Sequence, residues 1–325
     1  SQFESSHQVT KSPNYPITQS PSNPITSFVT IMRGCENYCS YCIVPYVRGL
    51  EKSRPVEEII SEINCLTHQG VKEVTLLGQN VNSYQFKIEN EKLKIMGFAD
   101  LLEEVNKIEG LERIRFVTSH PKDLNEKTIY AIRDLDKVCE HIHLPVQAGS
   151  NKVLKMMNRK YSREDYIVLA EKIRETIPDI AITTDLIVGF PGETEQDFQD
   201  TLDLVKEVEF DSAYTFKYSP RPGTTAAKLK DDVPLEIKKQ RLKILNETCN
   251  EISCKKNKKL TATEQEVLIE KNSSHFTGKQ IEKLEGRTRT NKIVFIQRKE
   301  NLVGKTVNVE IVEAYPHSLI GEIKC

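Results

Sequence analysis

Apolar residues gather into short β-rich runs at 28–32, 71–77, 112–118, 138–146, 180–188 and 213–218, and the stretches between them carry helical periodicity. The helical patterns cover 56–69, 98–108, 124–133, 151–157, 163–176 and 195–208. Each gap between runs exceeds the dozen or so residues of a right-handed crossover, so six parallel strands covered by helices are predicted. The fold class is therefore α/β. A partial parallel (β/α)6 barrel fits best, with a doubly wound open sheet as the alternative. Ser162-x-x-Asp165 and Thr194-x-x-Asp197 are capping-box patterns that mark two helix starts.

A basic amphipathic helix is predicted over 235–256, ending in Lys255, Lys256, Lys258 and Lys259. Beyond it the period drops to two, at 265–270, 275–281, 289–297, 305–312 and 318–324, with turn signals at 271–273, Gly286, Asn301 and 316–318. Five short strands in so few residues predict a small OB-like β-barrel. Residues 1–27, with Pro13, Pro16, Pro21 and Pro24 spread among Ser, Asn and Gln, read as a linker or extended arm. The expected division is thus an arm over 1–27, an α/β domain with its trailing basic helix over 28–258, and the small barrel over 259–325.

Composition changes this picture in two ways. The 325 residues hold 46 Lys+Arg against 47 Asp+Glu, a net charge of −1, which excludes a uniformly basic coat. The balance is uneven, however: residues 228–325 carry a net +6 and residues 1–227 a net −7, as a nucleic-acid-binding appendage would. No apolar run approaches the roughly 18–20 residues of a spanning helix, so no membrane partner is expected. A cytoplasmic monomer is expected instead. The first methionine is Met32, from which a fragment or processed product is expected.

Of the eight cysteines, Cys35, Cys39 and Cys42 crowd into one loop after the first strand, and the rest are scattered. Such usage points to cofactor binding in a reducing compartment rather than a disulfide scaffold. Zinc normally wants two cysteine half-sites or nearby histidines, and neither adjoins this trio. Three cysteines on a four-iron cluster leave one iron open to a ligand. Structural zinc and plain buried thiols stand as the alternatives.

Polar groups follow the predicted strands as a barrel active site requires: Gln79 and Asn80, Ser119 and His120, Gln147 and Ser150, 190–193, then Ser219 and Arg221. His141 and His143 share one strand face, as hydrogen-bonded core histidines or, less simply, a metal pair. Arg48, Arg54, Arg221 and the lysines Lys255, Lys256, Lys258 and Lys259 are candidates for RNA phosphates. Tyr46 and Tyr84 are candidates for base stacking, with His275, Phe276, Arg287 and Arg289 as contributors from the small barrel. A solvated charged face is the plain alternative for any single lysine.

C-x3-C-x-aromatic-C, with Tyr41 as the aromatic, resembles the signature of the radical S-adenosylmethionine enzymes. The wider segments 34–55, 76–84, 118–124, 143–166, 185–198 and 218–227 are similar to tRNA methylthiotransferases of the MiaB type, which act on isopentenyl-adenosine beside the anticodon. The resemblance covers 28–325 and closes in a TRAM-like domain. It implies a 4Fe–4S cluster on Cys35, Cys39 and Cys42, which are also the catalytic centre. It further implies S-adenosylmethionine on the open iron, with Tyr41 beside the adenine and Gln79 near the amino group. Asn80, Gln147, Ser150, Gly192 and Glu193 are the further cofactor contacts expected. The partners implied are tRNA and an electron donor such as a flavodoxin or ferredoxin. Family members also begin with a domain whose three cysteines hold a second cluster; no cysteine precedes Cys35 here, so this polypeptide alone is expected to lack methylthiolation and to retain cofactor cleavage. A ribosomal-protein methylthiotransferase and a non-catalytic iron–sulfur RNA-binding protein are the alternative functions.

Overall fold

In the computed structural model, which describes residues 24–88, 94–273, 283–297 and 300–323, six parallel strands follow one another in chain order. β1 (Thr26–Thr30), β2 (Glu73–Leu77) and β3 (Arg113–Phe116) form one sheet; β4 (His141–His143), β5 (Ala181–Val188) and β6 (Ser212–Lys217) form a second. A parallel bridge from Ile114 to Val138 joins the two into a partial barrel, with β1 and β6 as its end strands. The (β/α)6 expectation holds.

Alternation along the strands sorts the side chains. Val74, Leu76, Ile114 and Phe116 turn outward and are buried under the helices, Phe116 meeting Phe98 edge to face at 5.0 Å. The intervening residues turn into the barrel, where Arg115 and Glu73 form a buried ion pair at 2.9 Å. The helices are α1 (Val44–Arg48), α2 (Val56–His68), α3 (Phe98–Asn106), α4 (Glu126–Asp134), α5 (Asn151–Met156), α6 (Arg163–Thr176), α7 (Glu195–Val208) and α8 (Leu235–Lys258). Both predicted capping boxes are formed, Ser162 with Asp165 and Thr194 with Asp197. Among the described residues no helix is long and apolar enough to cross a membrane.

The C-terminal part is a closed five-stranded barrel: β7 (Glu264–Ser273), β8 (Lys283–Thr288), β9 (Ile293–Gln297), β10 (Thr306–Ala314) and β11 (Leu319–Ile323), in the order β7-β8-β9-β11-β10. Its strands correct the expected ones. The strand expected at 275–281 lies outside the described residues, and the one expected over 289–297 is a turn at 289–292 followed by β9. Gly286, expected in a turn, sits within β8. There a Cβ would lie 2.4 Å from the Leu268 carbonyl oxygen, so the glycine serves close strand approach.

This barrel seals the end of the α/β barrel where the strands begin. Arg113, buried in the seam, donates to the Arg287 carbonyl at 2.7 Å and to Glu266 at 2.8 Å. Arg115 donates to the carbonyls of Arg289 and Thr288. In return Arg289 grips Glu140 with two hydrogen bonds of 2.8 Å. Asp211 receives Lys256 of α8 at 2.6 Å and Lys292 of the small barrel at 3.0 Å. Burial alone would raise the Asp211 carboxyl, but these two lysines outweigh it and hold it below the ordinary range. On the inner face, His141 and His143 both meet the Thr183 hydroxyl, at 3.1 and 3.0 Å, as hydrogen-bonded histidines.

Candidate cluster and cofactor site

After β1 the chain makes a short antiparallel pair, Met32–Arg33 with Lys52–Ser53, and the loop between these strands carries the three grouped cysteines. The loop's entry is tight. Gly34 has φ +83°, and a Cβ there would lie 2.0 Å from the Leu50 carbonyl oxygen. Its N–H donates to Gln79 Oε1 at 2.6 Å, so the residue after β2 fixes the start of the loop. Ser40 ties the middle to the end of α5, its N–H donating to the Met157 carbonyl and its hydroxyl to that of Met156. Asn158 donates to the Tyr38 carbonyl at 2.8 Å, and the Ala226 N–H to that of Ser40 at 2.7 Å.

The loop's three thiols line one cavity of about 560 Å³ at the end of the barrel where the strands finish. Tyr41, Gln79, Gln147, Ser119, His120 and Arg221 share its wall, as do Asp185, Phe216 and Tyr218. No three His, Cys, Asp or Glu side chains among the described residues converge as a single metal ion requires. A tetrahedral zinc site would hold its sulfurs about 3.8 Å apart; a cluster cage accepts cysteines spread more widely. Burial pushes the Cys35 and Cys42 thiols up, so a metal must displace their protons on binding.

Arg159 is the most informative residue of the wall. It is buried and it lacks a carboxylate partner among the described residues. It donates to Cys39 Sγ at 3.4 Å, to the Tyr161 hydroxyl at 2.7 Å and to the Pro145 carbonyl at 2.7 Å. Burial would lower its guanidinium, but Tyr41, Tyr161 and Cys39 outweigh that and keep it charged. A buried cation without a counter-ion is costly, and here it stands beside a thiol that becomes an anion once metal binds. His120 is the opposite case. Burial, then Arg159 and Lys122, push its imidazole down to about 2, so it faces the cavity neutral, with Nδ1 accepting from the Lys122 N–H.

Two further signs distinguish this wall. Thr118 and Gln147 hold positive φ of 69° and 75°, and Tyr38 on the cysteine loop one of 48°, a left-handed geometry that non-glycine residues adopt at some cost. The Ser119 and Tyr218 hydroxyls are buried without a hydrogen-bond partner, an arrangement that a bound ligand would relieve.

The structure divides the expected site residues. Cys35, Cys39, Cys42, Tyr41, Gln79 and Gln147 come together on the cavity. Asn80, Ser150, Gly192 and Glu193 do not, each being held by a neighbour outside its wall. Asn80 donates to Asp123 at 2.7 Å, and Ser150 caps α5 and donates to Asp197 at 2.6 Å. Gly192 N–H donates to Asp232, while Glu193 accepts from the Gly189 N–H and pairs with Arg241 at 2.8 Å.

The nucleic-acid candidates also divide. Arg48, Arg221, Lys258 and Lys259 are exposed, as is Lys255, which also meets Glu209 at 3.4 Å. Lys256 and Arg289 are instead spent on Asp211 and Glu140, and Arg287 pairs with Glu270. Arg54 is held by Glu62 and the Thr30 carbonyl. Tyr84 is fully buried, its hydroxyl donating to the Arg54 carbonyl, and offers no face to a base. Tyr46 is exposed beside Tyr38. His275 and Phe276 lie outside the described residues. Arg159 was not foreseen, and only the fold shows that its charge has no carboxylate partner among the described residues.

Comparison with known proteins agrees with this geometry. Residues 29–205 match the model of the Radical SAM superfamily, and residues 258–324 match that of the TRAM domain. The tRNA-2-methylthio-N(6)-dimethylallyladenosine synthase of Caldicellulosiruptor saccharolyticus is 58% identical over 92% of this chain and 61% of its own length. The protein of the same name from Acetivibrio thermocellus is 56% identical over 91% of this chain and 60% of its own. The chain thus spans about three fifths of the length of these curated relatives. Among solved structures, the radical S-adenosylmethionine methyltransferase TsrM from Kitasatospora setae superposes with a TM-score of 0.51 at 16% identity, over 62% of this chain and 38% of that one. At that identity the likeness concerns the fold alone. With more than half of its residues under the superfamily model and the trio of thiols lining the mouth of a six-stranded barrel, the chain belongs to the Radical SAM superfamily.

Proposed function

We propose that this chain is the cofactor-cleaving and RNA-binding part of a tRNA methylthiotransferase acting at carbon 2 of isopentenyl-adenosine beside the anticodon. The observation that carries the chemistry is the convergence of Cys35, Cys39 and Cys42 on one cavity with Arg159. High identity to relatives named for that tRNA product, together with the TRAM match, supports the substrate. In this reading the three thiolates hold a 4Fe–4S cluster, and S-adenosylmethionine occupies the remaining cavity.

When bound, these groups supply one-electron cleavage of a carbon–sulfur bond, which yields a species able to remove hydrogen from an unreactive carbon. The rest is the work of the chain's own residues. Gln79, through Gly34, and Ser40, through the end of α5, hold the cysteine loop in register. Arg159 offers fixed positive charge to an anionic group. Ser119 and Tyr218 offer unpaired hydroxyls. Neutral His120 and the rings of Tyr41 and Tyr218 on the cavity wall keep water from the reacting centre. Arg221 and the exposed lysines Lys255, Lys258 and Lys259 attract tRNA. A low-potential donor of the flavodoxin or ferredoxin class supplies the electron, a monomer in the cytoplasm suffices, and the sulfur-bearing second cluster belongs to additional chain of the kind that lengthens the relatives.

Anaerobic reconstitution with iron and sulfide tests the reading. A brown protein that releases 5′-deoxyadenosine only with reductant is expected, along with salt-sensitive binding of tRNA. Methylthio-adenosine is expected only when the chain is part of a longer polypeptide, read by mass spectrometry of tRNA nucleosides. A colourless product, or zinc in place of iron, would overturn it.

A further inference from the structure

A second cavity, of about 460 Å³, lies inside the α/β barrel where the small barrel closes it. Its volume is within the range of small-molecule sites, about 300–1,000 Å³. Thr118 lines both this cavity and the cluster cavity, so the two adjoin. Along β6 the same passage is marked by aromatic rings: Tyr214 lines the second cavity and Phe216 the first. Two strand residues separate them by about 7 Å.

These rings are unusual in being exposed. Tyr214 is 59% exposed and Phe216 51%, and register with Asp185 and Ile187 puts both on the barrel's inner face. On the other end strand, Phe28 is 71% exposed and pairs with Thr75, in the inward row that also contains Arg115. Large aromatic rings bared on the inner face of both end strands are a surface awaiting flat, apolar partners. Tyr214 makes a T-shaped contact with His143, its centroid 5.8 Å away, and more than half of the residue stays exposed.

Two more observations point to a base rather than a phosphate inside the cavity. The cations at its edge are already matched, Lys292 by Asp211 and Arg287 by Glu270. Asn257, only 3% exposed, donates from its amide to the Tyr315 and Pro316 carbonyls, while its Oδ1 has no partner. That oxygen is an acceptor suited to an exocyclic amine. The exposed lysines Lys258 and Lys259 follow Asn257 directly, on the outside, where a phosphate would lie.

We propose that this cavity is a second nucleobase site, in which a base neighbouring the one being modified stacks on Tyr214 and donates to Asn257 Oδ1. The proposal rests on the RNA substrate proposed above and adds a subsite to it. Stacking on aromatic platforms with phosphates outside is how single-stranded nucleic acid is held.

The test uses the reconstituted chain and anticodon stem-loop RNAs carrying 2-aminopurine on either side of the modified adenosine. Tyr214→Ala is expected to weaken binding about 5- to 150-fold, the range for loss of one stacked base, and to abolish quenching at one of the two positions. Tyr214→Phe, which keeps the ring, is expected to retain both, and Tyr130→Ala, an exposed ring on the outer helix α4, to change neither. Tyr214 is largely exposed, so its truncation leaves no core void, and an unchanged melting temperature checks this. Wild-type binding with Tyr214→Ala indistinguishable from it would overturn the subsite alone. Failure of the wild type to bind the stem-loop would overturn the RNA substrate and the subsite with it.

Discussion

The two ends of the α/β barrel both hold ion-paired cations, Arg241 with Glu193 at the finish of the strands among them, but among the described residues only that end also encloses a cation with no carboxylate beside it. Where the strands begin, the buried and half-buried cations of the seam each have a carboxylate partner: Arg113 with Glu266, Arg115 with Glu73, Arg289 with Glu140, Lys256 and Lys292 with Asp211. Where the strands finish, Arg159 is equally enclosed and has only a thiol, a phenol and a carbonyl. The orphan hydroxyls of Ser119 and Tyr218 lie at that same end, beside the left-handed Thr118 and Gln147. Matched charge fastens one domain to another, and unmatched charge marks the place kept for a ligand.

Substitutions at the two ends sharpen or break this contrast. The largest effect is expected from Gly34→Ala, because both its φ and the Leu50 carbonyl forbid a Cβ. Iron retained after reconstitution should fall to near zero while the C-terminal barrel stays folded; full iron retention would show that the loop can relax. Next is Asp211→Asn, which leaves the half-buried Lys256 and Lys292 with a neutral neighbour. A loss of about 3–5 kcal/mol is expected by chemical denaturation. Because the folded carboxyl is held below its unfolded value, its stabilisation is present above about pH 4 and disappears as the pH falls through the depressed value. The gap between wild type and Asp211→Asn should therefore close in acid.

Arg159→Met should behave differently. The metal-free protein is expected to lose less stability than with Asp211→Asn, whereas affinity for S-adenosylmethionine should drop about ten- to a hundredfold, the range for one charge-assisted hydrogen bond. Equal destabilisation by the two variants, with cofactor affinity unchanged, would abolish the distinction between the ends. The smallest effect is expected from Lys258→Ala and Lys259→Ala. Each should lower the slope of log affinity for tRNA against log salt by about one, without altering thermal stability.

Much of this architecture was legible in the residues. α6 and α7 run over 163–176 and 195–208 as their periodicity predicts, because each begins at a capping box that fixes the boundary locally. Gly286 misled because glycine permits both a turn and a close strand contact, and only the facing Leu268 decides between them. The cysteine trio was legible because three ligands of one centre lie in one loop. Gly192 and Glu193 fall outside the cavity wall for the converse reason: a glycine turn before a helix looks the same whether it cradles a ligand or anchors to Asp232 and Arg241. Arg159 and Tyr214 were invisible, since a missing carboxylate or a ring left exposed is a property of the surroundings.

Asp211 clasps lysines from two directions, one on α8 and one on the small barrel, and so fixes the module's attitude as well as its tether. A binding domain on a loose hinge delivers its cargo over a spread of positions; one bolted at this angle acts as a gauge. For the RNA proposed as substrate, a stem resting against it would bring only a loop of fitting length to the mouth where the thiols wait, and the choice of substrate would then be partly a measurement of distance.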